Sequence, residues 1–501
     1  MVPPLLALFV WPLISVVFFI KLRLPLAIIL TILGGFLFLP ENTELNLPGI
    51  PGLDKRSIPA LTALVLALIF ADRATTAGQP ASLFPRQPLI VLLLIVLVAG
   101  AVLTALTNDD PLIYGFLTLP GLQLYDAAST TASALLMILP LLLARRFIAD
   151  PEAQRLLLMV LCVAALGYSL LVLFEVRMSP QLNRWIYGFF PHSWSQHIRA
   201  GGFRPVVFLQ HGLVLGIFLC MAILATLALV RIDTRRRRLF LLVALWLFGT
   251  LMLSRNLGAV FITVALMPVI FMLGVRGQLL VAAIISGVFL AYPVVRASQI
   301  LPIDQIIRLA EDIDPQRADS FVFRLNHEES LLSKASERPA FGWGGWGRGR
   351  VYDDVGNDIS VTDGAWIITL GMDGWTGYVA RYGLLTLPVF LLLLHRRRYG
   401  IGPETAALAV LLAANLIDLV PNSSNTPLTW LLAGALWGRL EWRVVSKLQP
   451  EKGVESLVAR DSNYRRAHAK QVTQHLPESA LLQPQSPYTR QTRRIDRKAS
   501  S

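Results

Sequence analysis

The chain has 501 residues, 54% of them hydrophobic and 15% charged, with a formal net charge of +13 at pH 7. Together with a mean hydropathy of +0.58, this composition is hard to reconcile with a soluble enzyme and reads as a polytopic helical membrane protein. The two cysteines, Cys162 and Cys220, both fall inside apolar runs, which argues against a disulfide framework or a thiolate metal site.

The first apolar run, PPLLALFVWPLISVVFFI, has no charged region before it and no small-residue cleavage site after it. It is read as a retained span and not a removed signal peptide. Further apolar runs centre on residues 24–40, 58–72, 88–106, 127–144, 156–174, 206–230, 239–253, 257–275, 279–295, 366–394, 402–420 and 428–442. Each is near the roughly 20 residues needed to cross a bilayer. The expected fold is all-α, a polytopic transmembrane bundle of about 12–13 spans with two long outer loops that contain short helices.

Lys and Arg mark the sides. KLR at 21–23, ARR at 144–146, RIDTRRRR at 231–238 and HRRR at 395–398 occupy alternate connections, while TNDDPLIYG and PNSSNTP carry neither residue. The alternation places the N-terminus outside and the C-terminus inside, so much of the positive charge is a topology signal that needs no nucleic acid. In domain terms, residues 1–447 form one membrane domain with outer loops at 175–205 and 296–365. Residues 448–501 form a polar, disordered cytoplasmic tail. No repeat of fixed period is evident.

Within LMLSRNLGAVF, Arg255 falls on the outer side, in a turn too short to solvate it freely. An ionisable group at membrane depth costs about 2.5–3.5 kcal/mol near a helix centre, so a partner is expected, either an internal carboxylate or a bound anion. Familiar catalytic motifs fail. HEESL at 327–331 has no second histidine for zinc, GWGGWGRG lacks the Lys-Ser/Thr of a nucleotide loop, and no G-x-S-x-G elbow appears. Intramembrane acids are few, chiefly Asp418 with Asn415.

What remains is an excess of outer arginines: Arg199, Arg204, Arg255, Arg324, Arg348 and Arg350. Guanidinium groups bind phosphate oxygens through paired N–H bonds, so several converging on one cavity suit a pyrophosphate. Nearby in sequence stand Glu328, Asp353, Asp354, Asp358 and Asp363. A carboxylate deprotonating a hydroxyl, with arginines stabilising a departing diphosphate, amounts to a glycosyl transfer. The outer face lacks sugar nucleotides, so the donor must arrive activated, as a lipid-linked diphosphate sugar does. The bland readings stand beside these. Loop arginines can pair with neighbouring acids or lipid headgroups, Trp343 and Trp346 can anchor at the interface instead of stacking on sugar, and His211 can be a packing histidine.

Four stretches resemble the O-antigen ligase and polymerase superfamily of bacterial envelope glycosyltransferases. RAGGFRPVVFLQHG is similar to its arginine-glycine element, and LSRNLGA to its Ser-Arg-Gly-Ala turn. RLNHEESLLSKASERPAFGWG is similar to its loop helix ending in Pro-x-x-Gly-x-Gly, here Pro339, Gly342 and Gly344. DGAWIITLGMDGWTG is similar to its His-Asn stretch, with Gly374 and Gly377 as the two following glycines. Where the family commonly has the histidine proposed as base, this chain has Asp363, either a base itself or a helix N-cap.

The resemblance implies transfer of glycan from an undecaprenyl-diphosphate-linked donor to the hydroxyl of a glycan or lipid-linked acceptor, at the periplasmic face of the bacterial inner membrane. Asp363 is then the candidate base with Glu328 in reserve. Arg199, Arg204, Arg255 and Arg324 hold the pyrophosphate, and His211, Trp343 and Trp346 are possible substrate contacts. Arginine-held phosphate needs no metal, and no cofactor is expected. The missing histidine tilts the reading toward polymerase over ligase, with an oligosaccharyltransferase as a third branch. A transporter or flippase of a lipid-linked or anionic substrate is the alternative from another class.

Overall fold

The computed structural model describes residues 1–46, 51–71, 82–199, 201–298, 308 and 315–448. The predicted tail, 448–501, lies outside these residues apart from Leu448, as does part of the second predicted loop. Every apolar run forms a helix: α1 (Pro4–Lys21), α2 (Leu24–Phe38), α3 (Ser57–Ile69), α4 (Pro88–Leu106), α5 (Leu124–Phe147) and α6 (Pro151–Met178). After the short α7 (Leu182–Tyr187) come α8 (Gly212–Ile232), α9 (Arg237–Leu253), α10 (Leu257–Met272) and α11 (Val275–Ala297). The amphipathic α12 (Pro315–Ser336) precedes α13 (Ala365–Leu394), α14 (Pro403–Asp418) and α15 (Pro427–Leu448). The described strands make two small antiparallel hairpins, β1 (Leu112–Tyr114) with β2 (Leu117–Leu119), and β3 (Ile198–Arg199) with β4 (Gly202–Phe203).

Seven of these helices are long and apolar enough to cross a membrane, and three shorter ones are equally apolar. Their burial is uneven in an informative way. The central helix α8 is enclosed by α6, α9, α10 and α14 and buries nearly its whole surface. At the periphery, α1 exposes Leu5, Phe9, Leu13 and Val17, and α11 exposes Leu280, Ile284 and Val288. Stripes of that kind at helical spacing suit apolar surroundings.

The run at 206–230 starts its helix only at Gly212. The segment before it is strapped down by buried polar groups. Glu175 of α6 accepts the backbone N–H groups of Leu182 (3.0 Å), Val206 (2.8 Å) and Val207 (2.7 Å). Lys55 donates to the Phe208 carbonyl at 2.8 Å and pairs with Glu41 at 3.1 Å. Burial pulls the Lys55 ammonium below its usual range, and the Glu41 carboxylate opposes that pull.

The run at 366–394 differs from a single straight span. Within α13, Gly374 breaks the helix at φ 61° and ψ −166°. The Tyr382 hydroxyl donates to the Ala365 carbonyl at 2.8 Å and lies 3.0 Å from Thr369 Oγ1. A straight helix would hold Ala365 and Tyr382 about 26 Å apart at 1.5 Å per residue, so the first half folds back on the second. The segment 339–344 fills the break. Trp343 and Gly344 donate backbone N–H groups to the Gly371 and Met372 carbonyls (both 2.8 Å), while Trp375 and Thr376 donate to those of Pro339 (2.8 Å) and Ala340 (3.1 Å). Thr104 of α4 and Asn108, just beyond its end, donate to the Phe341 (2.6 Å) and Gly342 (3.0 Å) carbonyls.

This exchange requires glycine at two facing positions. A Cβ at Gly342 would lie 2.5 Å from the Gly374 nitrogen, one at Gly374 would lie 2.6 Å from the Gly342 nitrogen, and both residues have positive φ. We expect Gly342→Ala and Gly374→Ala each to cost more than the roughly 1–3 kcal/mol of backbone strain alone. Thermal unfolding of the purified protein should show the loss, while Gly345→Ala, where a Cβ meets nothing within 4 Å, should unfold like the parent.

Candidate functional site

The ends of the helices that carry both long loops bring most of the predicted charged residues together, in two groups. The first is built on the β3–β4 hairpin. Arg255 lies in the turn between α9 and α10 with φ 58°, a left-handed conformation uncommon for a residue with a side chain. The turn is closed by Asn256, whose amide donates to the Ser254 carbonyl (3.2 Å) and hydroxyl (3.0 Å). The Arg255 guanidinium rests over Gly202 of β4, where a Cβ would overlap it. Arg204 packs its stem against Gly212 at the start of α8 and directs Nη2 to the Arg255 carbonyl at 3.5 Å. Two arginines from different parts of the chain thus sit together, and both rely on glycines for room. Arg199 stands opposite Gly202 across the hairpin, but its side chain lies outside the described residues.

The second group lies where α11, α12, α13 and α14 meet. Arg324 of α12 places Nε 3.3 Å from Oδ2 of Asp363, and both side chains are partly exposed. Asp363 precedes the α13 N-cap, Gly364, and no side-chain bond caps that helix, so the N-cap alternative for Asp363 does not apply. The start of α13 is held instead by the Ala365 N–H, shared between the Leu419 and Asn422 carbonyls at 3.1 Å. One turn beyond Arg324, Glu328 is buried. It accepts the Tyr292 hydroxyl at 3.3 Å and lies 3.9 Å from Nε of Arg296. Burial pushes the Glu328 carboxyl above its usual range, Arg296 and the Tyr292 bond oppose the shift, and the charge of Asp363 adds to it. Arg324 also lies within electrostatic reach of Asp418 at the end of α14. Asp418 accepts from Asn422 at 2.8 Å and from the Ser424 hydroxyl. Tyr292 and Arg296 were not singled out in the sequence, though an arginine ending an apolar run was a usable signal.

The remaining predicted residues fall elsewhere. Trp343 is buried, donates to the Lys334 carbonyl at 2.8 Å, and has its ring faced by Lys334 (3.8 Å) and Arg338 (4.4 Å). Those cations occupy the surface on which a sugar would stack. Trp346 is exposed, and its indole donates to Asp126 at 3.0 Å. Arg348 is fully buried and donates to the Pro120 carbonyl at 2.8 Å, while Arg350 pairs with Asp358. His211 caps α8, accepting the Leu213 N–H at Nδ1 (3.0 Å), with the His192 and His197 rings 4.9 and 4.7 Å away.

Comparison with family models returns no match, and comparison with curated proteins returns none.

A raised folded-state carboxyl pKa means that the folded chain holds the proton more tightly. The stability this gives is full below the ordinary glutamate range and is lost as pH rises through the folded value. Glu328→Gln, which keeps an acceptor for Tyr292, should therefore flatten the pH dependence of thermal stability above about pH 4.3. An unchanged pH profile would mean that Glu328 does not titrate differently on folding.

Proposed function

We propose that the chain is a multi-pass membrane glycosyltransferase that moves glycan from an undecaprenyl-diphosphate-linked donor to an acceptor hydroxyl during bacterial surface-polysaccharide assembly. The observation that carries this reading is the packing of Arg204 with Arg255 at the loop-bearing ends of α8 and α10. An arginine in a left-handed turn over one glycine, with the guanidinium of a second arginine against its backbone carbonyl, suits a diphosphate. Seven long apolar helices with exposed apolar stripes support insertion in a membrane, which would hold the donor's lipid tail.

In the proposed reaction Asp363 takes the proton of the acceptor hydroxyl, whose oxygen then forms the bond to the anomeric carbon. The bond from that carbon to the diphosphate oxygen breaks, and the arginines stabilise the departing diphosphate. Arg324 lies 3.3 Å from Asp363, and the phosphate is left to Arg204 and Arg255. The partly exposed Asp363 is better placed to meet an acceptor than buried Glu328, whose environment favours the protonated form. With positive charge supplied by side chains, the transfer is proposed to need no metal and to take place at the periplasmic face of the inner membrane.

The break in α13 favours a second reading, a transporter or flippase. Half-helices at membrane depth are a common way of building a transport site, and the Asp373–Arg381 pair (2.8 Å) lies beside this one.

The deciding experiment is mass spectrometry of lipid-linked glycans from a strain lacking the protein. Single repeat units held on the carrier indicate a polymerase, and long polymers held there indicate a ligase. An unchanged pool with intact surface glycan overturns the transferase reading. Arg255→Lys keeps the charge but loses the paired N–H geometry, and should lower glycan transfer roughly 100-fold without changing the unfolding temperature. Asp363→Asn should reduce it at least as far.

A further inference from the structure

Three of the chain's seven histidines lie within 20 residues of one another, in FFPHSWSQHIRAGGFRPVVFLQHG. The fold draws them into one cluster, His192, His197 and His211, with one ring nitrogen from each all within 4.8 Å of the others. We infer that these three imidazoles form a site for a divalent first-row transition ion, of the zinc, cobalt or nickel kind, that pins the first long loop to the start of α8.

The donor set selects the ion. Imidazole suits these metals, whereas magnesium and calcium call for oxygen ligands, and among the described residues the cluster includes no carboxylate. Zinc–imidazole bonds near 2.0–2.1 Å put tetrahedral donors about 3.3 Å apart, so closure asks at most about 1.5 Å of ring movement. The rings are mounted on anchored backbone. The Asn42 amide donates to the Pro191 carbonyl at 2.6 Å, fixing the residue before His192, and His211 is the N-cap of the central helix. His197 places Nδ1 2.9 Å from the Ser193 carbonyl. That bond makes Nδ1 the donor, so ligation would use Nε2, the usual arrangement of a ligating histidine. His197 is buried while His192 is exposed, so an ion has a path in.

Two features oppose binding. His211 accepts the Leu213 N–H at Nδ1, so ligation there exchanges a helix-cap bond for a metal bond, and ligation at Nε2 displaces a proton. Arg204, whose backbone N–H bonds the His197 carbonyl at 2.8 Å, brings positive charge close to a dication. Three protein ligands leave a fourth position open, and an anion there would offset that charge. The inference does not depend on the glycosyl-transfer reading, because its readout is metal binding.

The test uses the full chain, purified without a polyhistidine tag in detergent and stripped with chelator. Cobalt is titrated while visible absorption is followed, and zinc content is measured after dialysis. We expect one ion per chain, intense tetrahedral cobalt bands and a higher unfolding temperature with zinc. His192→Ala removes an exposed ligand, so the metal-free protein should unfold as the parent does while cobalt affinity falls at least 100-fold. His211→Asn keeps a helix cap and should likewise lose the ion. Absence of binding in the parent, or equal binding in His192→Ala, would overturn the site. So would loss of the ion only in a His468→Ala/His475→Ala variant, which would place it on the C-terminal segment.

Discussion

The arrangement depends most on the backbone exchange between the segment 339–344 and the broken helix α13. A helix interrupted among apolar neighbours leaves N–H and C=O groups that no water can satisfy. Here the segment supplies both sides, donating to the Gly371 and Met372 carbonyls and accepting from Trp375 and Thr376. This joins a loop to a helix as firmly as a strand joins a sheet. Because α12 runs directly into the segment and Asp363 precedes α13, the exchange also sets where Arg324 and Asp363 meet.

The arginine pair is positioned by a different device, buried charge used to hold backbone. Glu175 gathers three N–H groups from the first long loop and the segment that leads from it into α8, and Lys55 donates to the Phe208 carbonyl while pairing with Glu41. Each is a charged group inside an apolar bundle that is tolerated because its hydrogen-bonding capacity is used. The loop is thereby committed to one path, which carries Gly202 beneath Arg255 and Arg204 against Gly212.

The two charged groups have complementary chemistry. Arg204 and Arg255 bring two arginines together from the hairpin and the α9–α10 turn. Arg324, Asp363, Glu328 and Asp418 form a mixed cluster in which Glu328 is favoured in its protonated form and Asp363 lies against an arginine. The histidine cluster adjoins the cationic pair through the bond from the Arg204 N–H to the His197 carbonyl.

The sequence by itself determined the helices. Hydropathy is a local property, and each apolar run became a helix at nearly its expected place. The stretches around Arg204, Arg255, Arg324 and Asp363 also stood out, because charge beside apolar runs is costly and therefore conspicuous. Only the tertiary structure decided who meets whom. A hydropathy window averages over one glycine, so the break at Gly374 was invisible within the run at 366–394, although Gly342, Gly344 and Gly374 had each been noticed. The Arg324–Asp363 pair, the cations covering Trp343 and the meeting of His192 and His197 with His211 arise from chain segments folded back on one another. No local pattern encodes such contacts, since packing and the satisfaction of buried backbone groups select them.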